Sequence, residues 1–227
     1  YTAGAGGRPE EFRFTYWSVE QAVGHPLVIP DDDEAAIQQL EGLLLDSTRL
    51  RMIADVPLGV LLSGGIDSSL VTALAQSLNP KPVKTFTIGF EDKAFDEADH
   101  ARDVAKYLRT EHTELYVAPG DALGVVPRLA TIYDEPFGDS SQIPTLMVCQ
   151  LARQRVTVAL SGDGGDEFFY GYGRYPTAES LWRRIARVPY PLRALGARAI
   201  ETVPAGWLDA MFPDASKRFG QYGAHGT

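Results

Sequence analysis

Short apolar runs and helical stripes take turns along this chain, and their alternation predicts its elements. Ile37, Leu40 and Leu44 recur at helical spacing behind Asp31-Asp32-Asp33-Glu34, whose charges suit the positive end of a helix. The acidic run therefore reads as a helix cap rather than a metal site. Pro57 ends that pattern ahead of a branched apolar run, a first strand, which stops at Ser63; a helix follows from Leu70 to Leu78. Lys84 to Phe90 predicts a second strand. Asp96 opens a helix with Ala98, Ala101, Ala105 and Leu108 along one stripe. Leu115 to Val117 reads as strand, Leu123 to Ile132 and Pro144 to Arg153 as helices, and Val156 to Leu160 as a last strand. Such alternation predicts an α/β fold, a doubly wound and mostly parallel sheet with helices on both faces. Beyond Tyr175 the chain reads as helical and basic, with Arg183, Arg184, Arg187, Arg193 and Arg198 on a solvated face and Pro189, Pro191 and Pro204 interrupting it.

Two strand-to-loop transitions carry candidate chemistry. Val60-Leu61-Leu62-Ser63-Gly64-Gly65-Ile66-Asp67-Ser68-Ser69 passes from strand through two glycines into a helix, a layout that aims backbone N–H groups and a helix dipole at an anion. Gly64 and Gly65 are expected to take positive φ and let a phosphate approach the main chain. Ser63, Ser68 and Ser69 add hydroxyls, and Asp67 offers a carboxylate to magnesium. No lysine follows the glycines, which excludes a Walker-type loop. Val156 to Glu167 repeats the theme, closing on Ser161-Gly162-Asp163-Gly164-Gly165-Asp166-Glu167. Alone, the first loop could be an ordinary Gly-Gly turn before a helix, and the second reads equally as a calcium-type turn or a plain solvated connection. As a pair on one parallel sheet they predict a site outside the carboxyl ends of neighbouring strands.

Composition narrows the partners. A net charge of −9 argues against nucleic-acid and anionic-membrane surfaces. No run approaches the ~18 apolar residues of a membrane span, and no signal peptide is visible, so a cytoplasmic location is expected. The single cysteine, Cys149, excludes an internal disulfide framework and is expected to be a buried small residue of its helix. His25, His100, His112 and His225 lack metal-ligand spacing and read as surface, cap or tail residues.

The two loops also carry a resemblance. Ser63-Gly64-Gly65-Ile66-Asp67-Ser68-Ser69 resembles the SGGxDS loop of the N-type ATP pyrophosphatases, and Ser161 to Glu167 with Gly171-Tyr172 resembles the second signature of the asparagine synthetase family. Phe86-Thr87-Ile88-Gly89-Phe90, Phe95-Asp96-Glu97 and Asp134-Glu135-Pro136 match the same family. The resemblance runs from near Tyr16-Trp17 to near Tyr175. It implies an adenine nucleotide alpha-hydrolase-like fold, divided as a leader or linker over 1–30, an ATP pyrophosphatase (synthetase) domain over 31–175 and a truncated helical extension over 176–227. Family members usually carry a preceding glutaminase domain and later helices with a catalytic lysine. Neither Lys217 nor any other lysine here matches that position.

The resemblance further implies the chemistry. A substrate carboxylate, aspartate first among candidates, attacks the α-phosphate of ATP and expels pyrophosphate; ammonia derived from glutamine then displaces AMP from the acyl-adenylate. Ser63, Gly64, Gly65, Ser68 and Ser69 would hold the β- and γ-phosphates, and Asp67 and Asp166 would bind Mg2+. Leu61, Ile88, Ser161 and Gly162 would frame the adenosine. Asp163, standing where many relatives have glutamate, would act on the adenylate or the incoming ammonia and not on the metal. Two departures stand out. Tyr170 occupies a position where glycine is usual. The acceptor-side segment Asp139-Ser140-Ser141-Gln142-Ile143-Pro144 lacks an arginine to pair with aspartate's α-carboxylate. Amidation of a sugar uronate or peptide carboxylate, a β-lactam-type cyclisation, or ATP binding without catalysis therefore stay open, as does a homodimer. Tyr133 and Asp134-Glu135 either shape the acceptor pocket or end a helix.

Overall fold

A computed structural model describes residues 14–24, 28–91, 96–135, 138–139 and 141–202. His25, Phe95, Pro136, Ser140, Pro204, Lys217 and His225 lie outside them, as do residues 1–13 of the expected leader. The chain divides into two compact units, 1–44 and 45–227, and the division falls inside a helix. The first unit contains α1 (Val19–Gly24) and the start of α2 (Asp33–Arg51). Asp32 caps α2: its carboxylate accepts from the Ala35 N–H at 3.0 Å, the local use expected of the acidic run.

The second unit is built on four strands, β1 (Leu58–Leu61), β2 (Lys84–Phe90), β3 (Glu111–Val117) and β4 (Val158–Leu160). Their order is β3-β2-β1-β4, and every pairing is parallel. The helices between them are α3 (Ile66–Ser77), α4 (Ala98–Leu108), α5 (Pro119–Ile132) and α6 (Gln142–Arg153); α7 (Gly165–Phe169), α8 (Arg174–Ile185) and α9 (Tyr190–Glu201) follow β4.

Side chains alternate across the sheet, so each face meets different helices. Val60 packs with Ala75 and Val71 of α3, and Leu62 with Ala101 and Ala105 of α4. On the other face Phe86, fully buried, packs with Leu151 and Ala152 of α6, while Ile88 and Phe90 meet Val125 of α5 and Leu146 of α6. The fold is thus α/β, with helices on both faces. Among the described residues no helix is long and apolar enough to cross a membrane.

Four sequence expectations need correction. β3 begins at Glu111, not Leu115, because His112 and Glu114 face polar partners: His112 Nδ1 lies 2.9 Å from Thr85 Oγ1, and Arg102 of α4 clamps Glu114 through two bonds of 2.8 and 2.7 Å. His112 is consequently a strand residue with its side chain only 12% exposed, not a surface or cap group. Cys149 is exposed, since α6 buries Leu146, Met147, Leu151 and Ala152 instead. β4 is shorter than the apolar run: Val156 N–H closes onto Ala152 O of α6 at 2.9 Å, and pairing with β1 starts at Val158.

Candidate active site

Strand order fixes where a site can form. From β1 the chain moves outward to β2 and β3, then returns to place β4 on the opposite side of β1. The loops leaving β1 and β4 therefore emerge side by side at the carboxyl ends of adjacent parallel strands, where ligands bind in such sheets. Both Ser-Gly loops leave from these two strands.

They meet at a glycine seam. A Cβ on Gly162 would lie 2.7 Å from the Ser68 backbone nitrogen, and one on Gly165 would lie 2.3 Å from the Asp67 carboxyl carbon. The second loop can lie this close to the first only because its facing positions lack side chains. Above the seam is a cleft of about 920 Å³. It is lined by Leu61, Ser63, Gly65, Asp67 and Ser68 from the first loop, by Ile88 from β2, and by Ser161, Gly162, Asp163 and Asp166 from the second. Ten of the sequence-derived candidates thus share one cavity.

Gly64 and Ser69 are not among its lining residues. Gly64 has φ +88°, and a Cβ there would lie 2.6 Å from the Ala101 backbone nitrogen, so this glycine lets the loop pack on α4. Gly65, at φ −69° and ψ 167°, is the N-cap of α3; positive φ is confined to the first glycine. The hydroxyls divide similarly. Ser68, 6% exposed, accepts from Ser63 N–H at 3.2 Å, lies 2.9 Å from Ser63 Oγ and donates to Gly65 O at 3.2 Å, so it braces the loop. Ser69 Oγ is buried without a partner among the described residues.

Acidity concentrates at the seam. Burial, followed by the neighbouring carboxylates of Asp166 and Glu167, holds the Asp67 carboxyl above its usual range. Among the described residues no lysine or arginine forms an ion pair with these three acids. A divalent cation would relieve that repulsion. The described residues offer no cage of three or more ligands, but magnesium asks for one or two carboxylates and completes its shell with water and phosphate oxygens. The donor set fits magnesium.

Asp163 stands apart from this cluster. It is exposed at the cleft, and its Oδ2 accepts from Ser161 Oγ at 2.9 Å. Tyr170, where the family resemblance leads one to expect glycine, caps α7 with φ 60° and ψ 34°, the left-handed conformation that glycine adopts at least cost. Its ring stacks on Tyr175 at 4.8 Å. Tyr133 caps the C-terminus of α5 and also lines the cleft, its hydroxyl donating to Gln142 O at 2.9 Å. Sequence reasoning missed Thr87 and Glu97 as lining residues. Their signal was positional: one lies at the middle of β2 and the other at the start of the helix that follows it.

Sequence comparisons with known proteins agree on a family. The sequence model of asparagine synthase matches residues 39–224. The chain is 34% identical over 178 residues to asparagine synthetase [glutamine-hydrolyzing] 1 of Bacillus subtilis, covering 78% of this chain and 28% of that protein. It is 40% identical over 168 residues to putative asparagine synthetase [glutamine-hydrolyzing] 2 of Methanocaldococcus jannaschii, covering 74% and 32%. The chain therefore spans about a third of the length of these curated relatives. Among solved structures, the NH3-dependent NAD synthetase of Campylobacter jejuni aligns with TM-score 0.40 at 16% identity, covering 82% of this chain and 96% of that one.

Proposed function

The chain belongs to the asparagine synthase family, and on that premise we propose that it is the synthetase portion of an ATP-dependent amide-forming ligase. The substrate carboxylate, aspartate in this reading, attacks the α-phosphate of ATP and releases pyrophosphate. Ammonia then attacks the acyl-adenylate, giving asparagine and AMP. Activation is required because a carboxylate oxygen leaves poorly whereas AMP leaves readily. The two relatives above are named as glutamine-hydrolysing; by analogy a glutaminase domain would supply the ammonia, in a cytoplasmic enzyme.

The single observation that supports this reading is the seam at which Gly162 and Gly165 press the second loop onto Ser68 and Asp67 of the first. It brings a backbone-rich loop at a helix N-terminus beside paired carboxylates, the combination needed to grip and neutralise a leaving pyrophosphate. Gly65 and Ser63 would offer donors to the β- and γ-phosphates. Asp67 and Asp166 would hold Mg2+, which when bound neutralises charge on the pyrophosphate. Leu61, Ile88, Ser161 and Gly162 would frame the adenosine. Asp163, held by Ser161 Oγ, would face the acyl-adenylate and take a proton from the attacking ammonia. Catalysis on this scheme is positioning and charge neutralisation more than covalent chemistry.

The test is ATP–pyrophosphate exchange with the chain, Mg2+ and aspartate. Exchange that requires aspartate supports the reading. ATP binding without exchange under any carboxylate supports an inert nucleotide-binding module.

A further inference from the structure

The cleft sets an electrostatic problem. Its described lining carries six carboxylates, Asp67, Glu97, Asp139, Asp163, Asp166 and Glu167, and no lysine or arginine. Aspartate would enter bearing a second carboxylate that takes no part in the reaction, into a field that repels it. A cation at the rim is needed, and the acceptor-side segment contains none.

We propose that Arg174 at the start of α8 is that cation, the anchor for the non-reacting α-carboxylate of the amino-acid acceptor. This deepens the amide-forming reading and rests on it. The guanidinium lies 4.0 Å from the ring centroid of Tyr172, itself a lining residue of the cleft whose hydroxyl donates to Glu167 at 2.8 Å. The ring is thereby tethered to the acidic seam, and the arginine is laid across the ring at the cleft's edge. Stacking occupies the face of a guanidinium and leaves its N–H edge available for a bidentate carboxylate. No described acid lies within ion-pair distance of Arg174, whereas Arg49, Arg102, Arg155 and Arg183 are each paired. Arg174 also bears on the acceptor side: after the hydrogen bonds from Ser141, its charge helps to hold the Asp139 carboxyl below the usual range. An arginine over an aromatic ring, with no described acid at ion-pair distance and an acidic cleft beside it, is placed to meet an incoming anion.

The test measures KM in ATP–pyrophosphate exchange for the unaltered chain, Arg174→Met and Arg174→Lys, varying aspartate and ATP separately. Arg174→Met is expected to raise KM for aspartate by about 10- to 100-fold, the effect of losing a charge-assisted pair, and to leave KM for ATP unchanged. Arg174→Lys should recover part of the loss, since it keeps the charge and forfeits the fork; it also carries the test if the methionine variant does not fold. β-Alanine, which lacks the α-carboxylate, should discriminate further: the unaltered chain should disfavour it strongly against aspartate, and Arg174→Met should lose most of that preference. An unchanged KM for aspartate overturns the assignment, as does a matching rise in KM for ATP, which would place Arg174 on the phosphates. Absence of exchange in the unaltered chain instead overturns the amide-forming reading, and the assignment falls with it.

Discussion

Gly165 stands directly against Asp67: a Cβ on Gly165 would come within 2.3 Å of the Asp67 carboxyl carbon and of its Oδ2. The obstructing atoms are the tip of a side chain that can swing aside, so the fold can accommodate Gly165→Ala at modest cost. The position of the carboxylate cannot be kept. We expect this variant to unfold within a few degrees of the parent while its Mg·ATP affinity drops at least tenfold by calorimetry. A large loss of stability with affinity intact would mean that the seam is only structural.

The glycines of the first loop should part company. Gly64 combines φ +88° with backbone 2.6 Å from its missing Cβ, so Gly64→Ala should cost roughly 1–3 kcal/mol in strain and more through the clash with α4. Gly65, at φ −69°, tolerates alanine, and Gly65→Ala should shift stability by under about 1 kcal/mol. Nucleotide affinity should respond the other way per unit of stability lost, because Gly65 lines the cleft and Gly64 packs against a helix. Paired denaturation and ATP titration of the two variants check this.

Asp67 should leave a signature in the pH dependence of stability. Its carboxyl is raised above the ordinary 3.8 by burial and by Asp166 and Glu167. The folded state therefore holds the proton more tightly than the unfolded chain. That contribution is fully present below the ordinary value and is lost as pH rises through the raised one. Asp67→Asn should lack this loss, so its melting temperature should gain on the parent across that window and stay above it at neutral pH without metal. Adding Mg2+ should stabilise the parent and not the variant. A melting difference that is flat with pH would contradict the electrostatic account of the seam.

Asp163 should act late in the reaction. Asp163→Asn keeps the size and removes the proton acceptor, so ATP binding should survive while amide formation falls by about 10²–10⁴-fold. Asp163→Glu should be tolerated. Loss of ATP binding in the asparagine variant would make Asp163 a phosphate or metal residue, which stopped-flow nucleotide binding can decide.

Sequence legibility tracked how local each determinant was. The bounds of β2, the cap at Asp32 and the helix opened by Asp96 followed from neighbours in the chain; Asp96 Oδ1 accepts from Ala98 N–H at 3.2 Å. The first half of β3 did not, because His112 and Glu114 look like loop residues until Thr85 and Arg102 are seen beside them. At the site, the loops could be read as motifs, yet their division of labour could not. Whether Gly64 faces a phosphate or Ala101 depends on α4, more than thirty residues away in the chain. Likewise Arg174 stands out in no sequence pattern, and only its position over the Tyr172 ring brings it to the cleft.

The central claim is that a carboxylate attacks the α-phosphate of ATP, and isotope transfer tests it most directly. Aspartate labelled with 18O in its β-carboxylate is incubated with the protein, Mg·ATP and ammonia, and the nucleotide product is weighed by mass spectrometry. Passage through an acyl-adenylate predicts that each amide formed leaves one 18O atom in AMP, with pyrophosphate unlabelled. Label in inorganic phosphate alongside ADP, or AMP that carries no label, would contradict it.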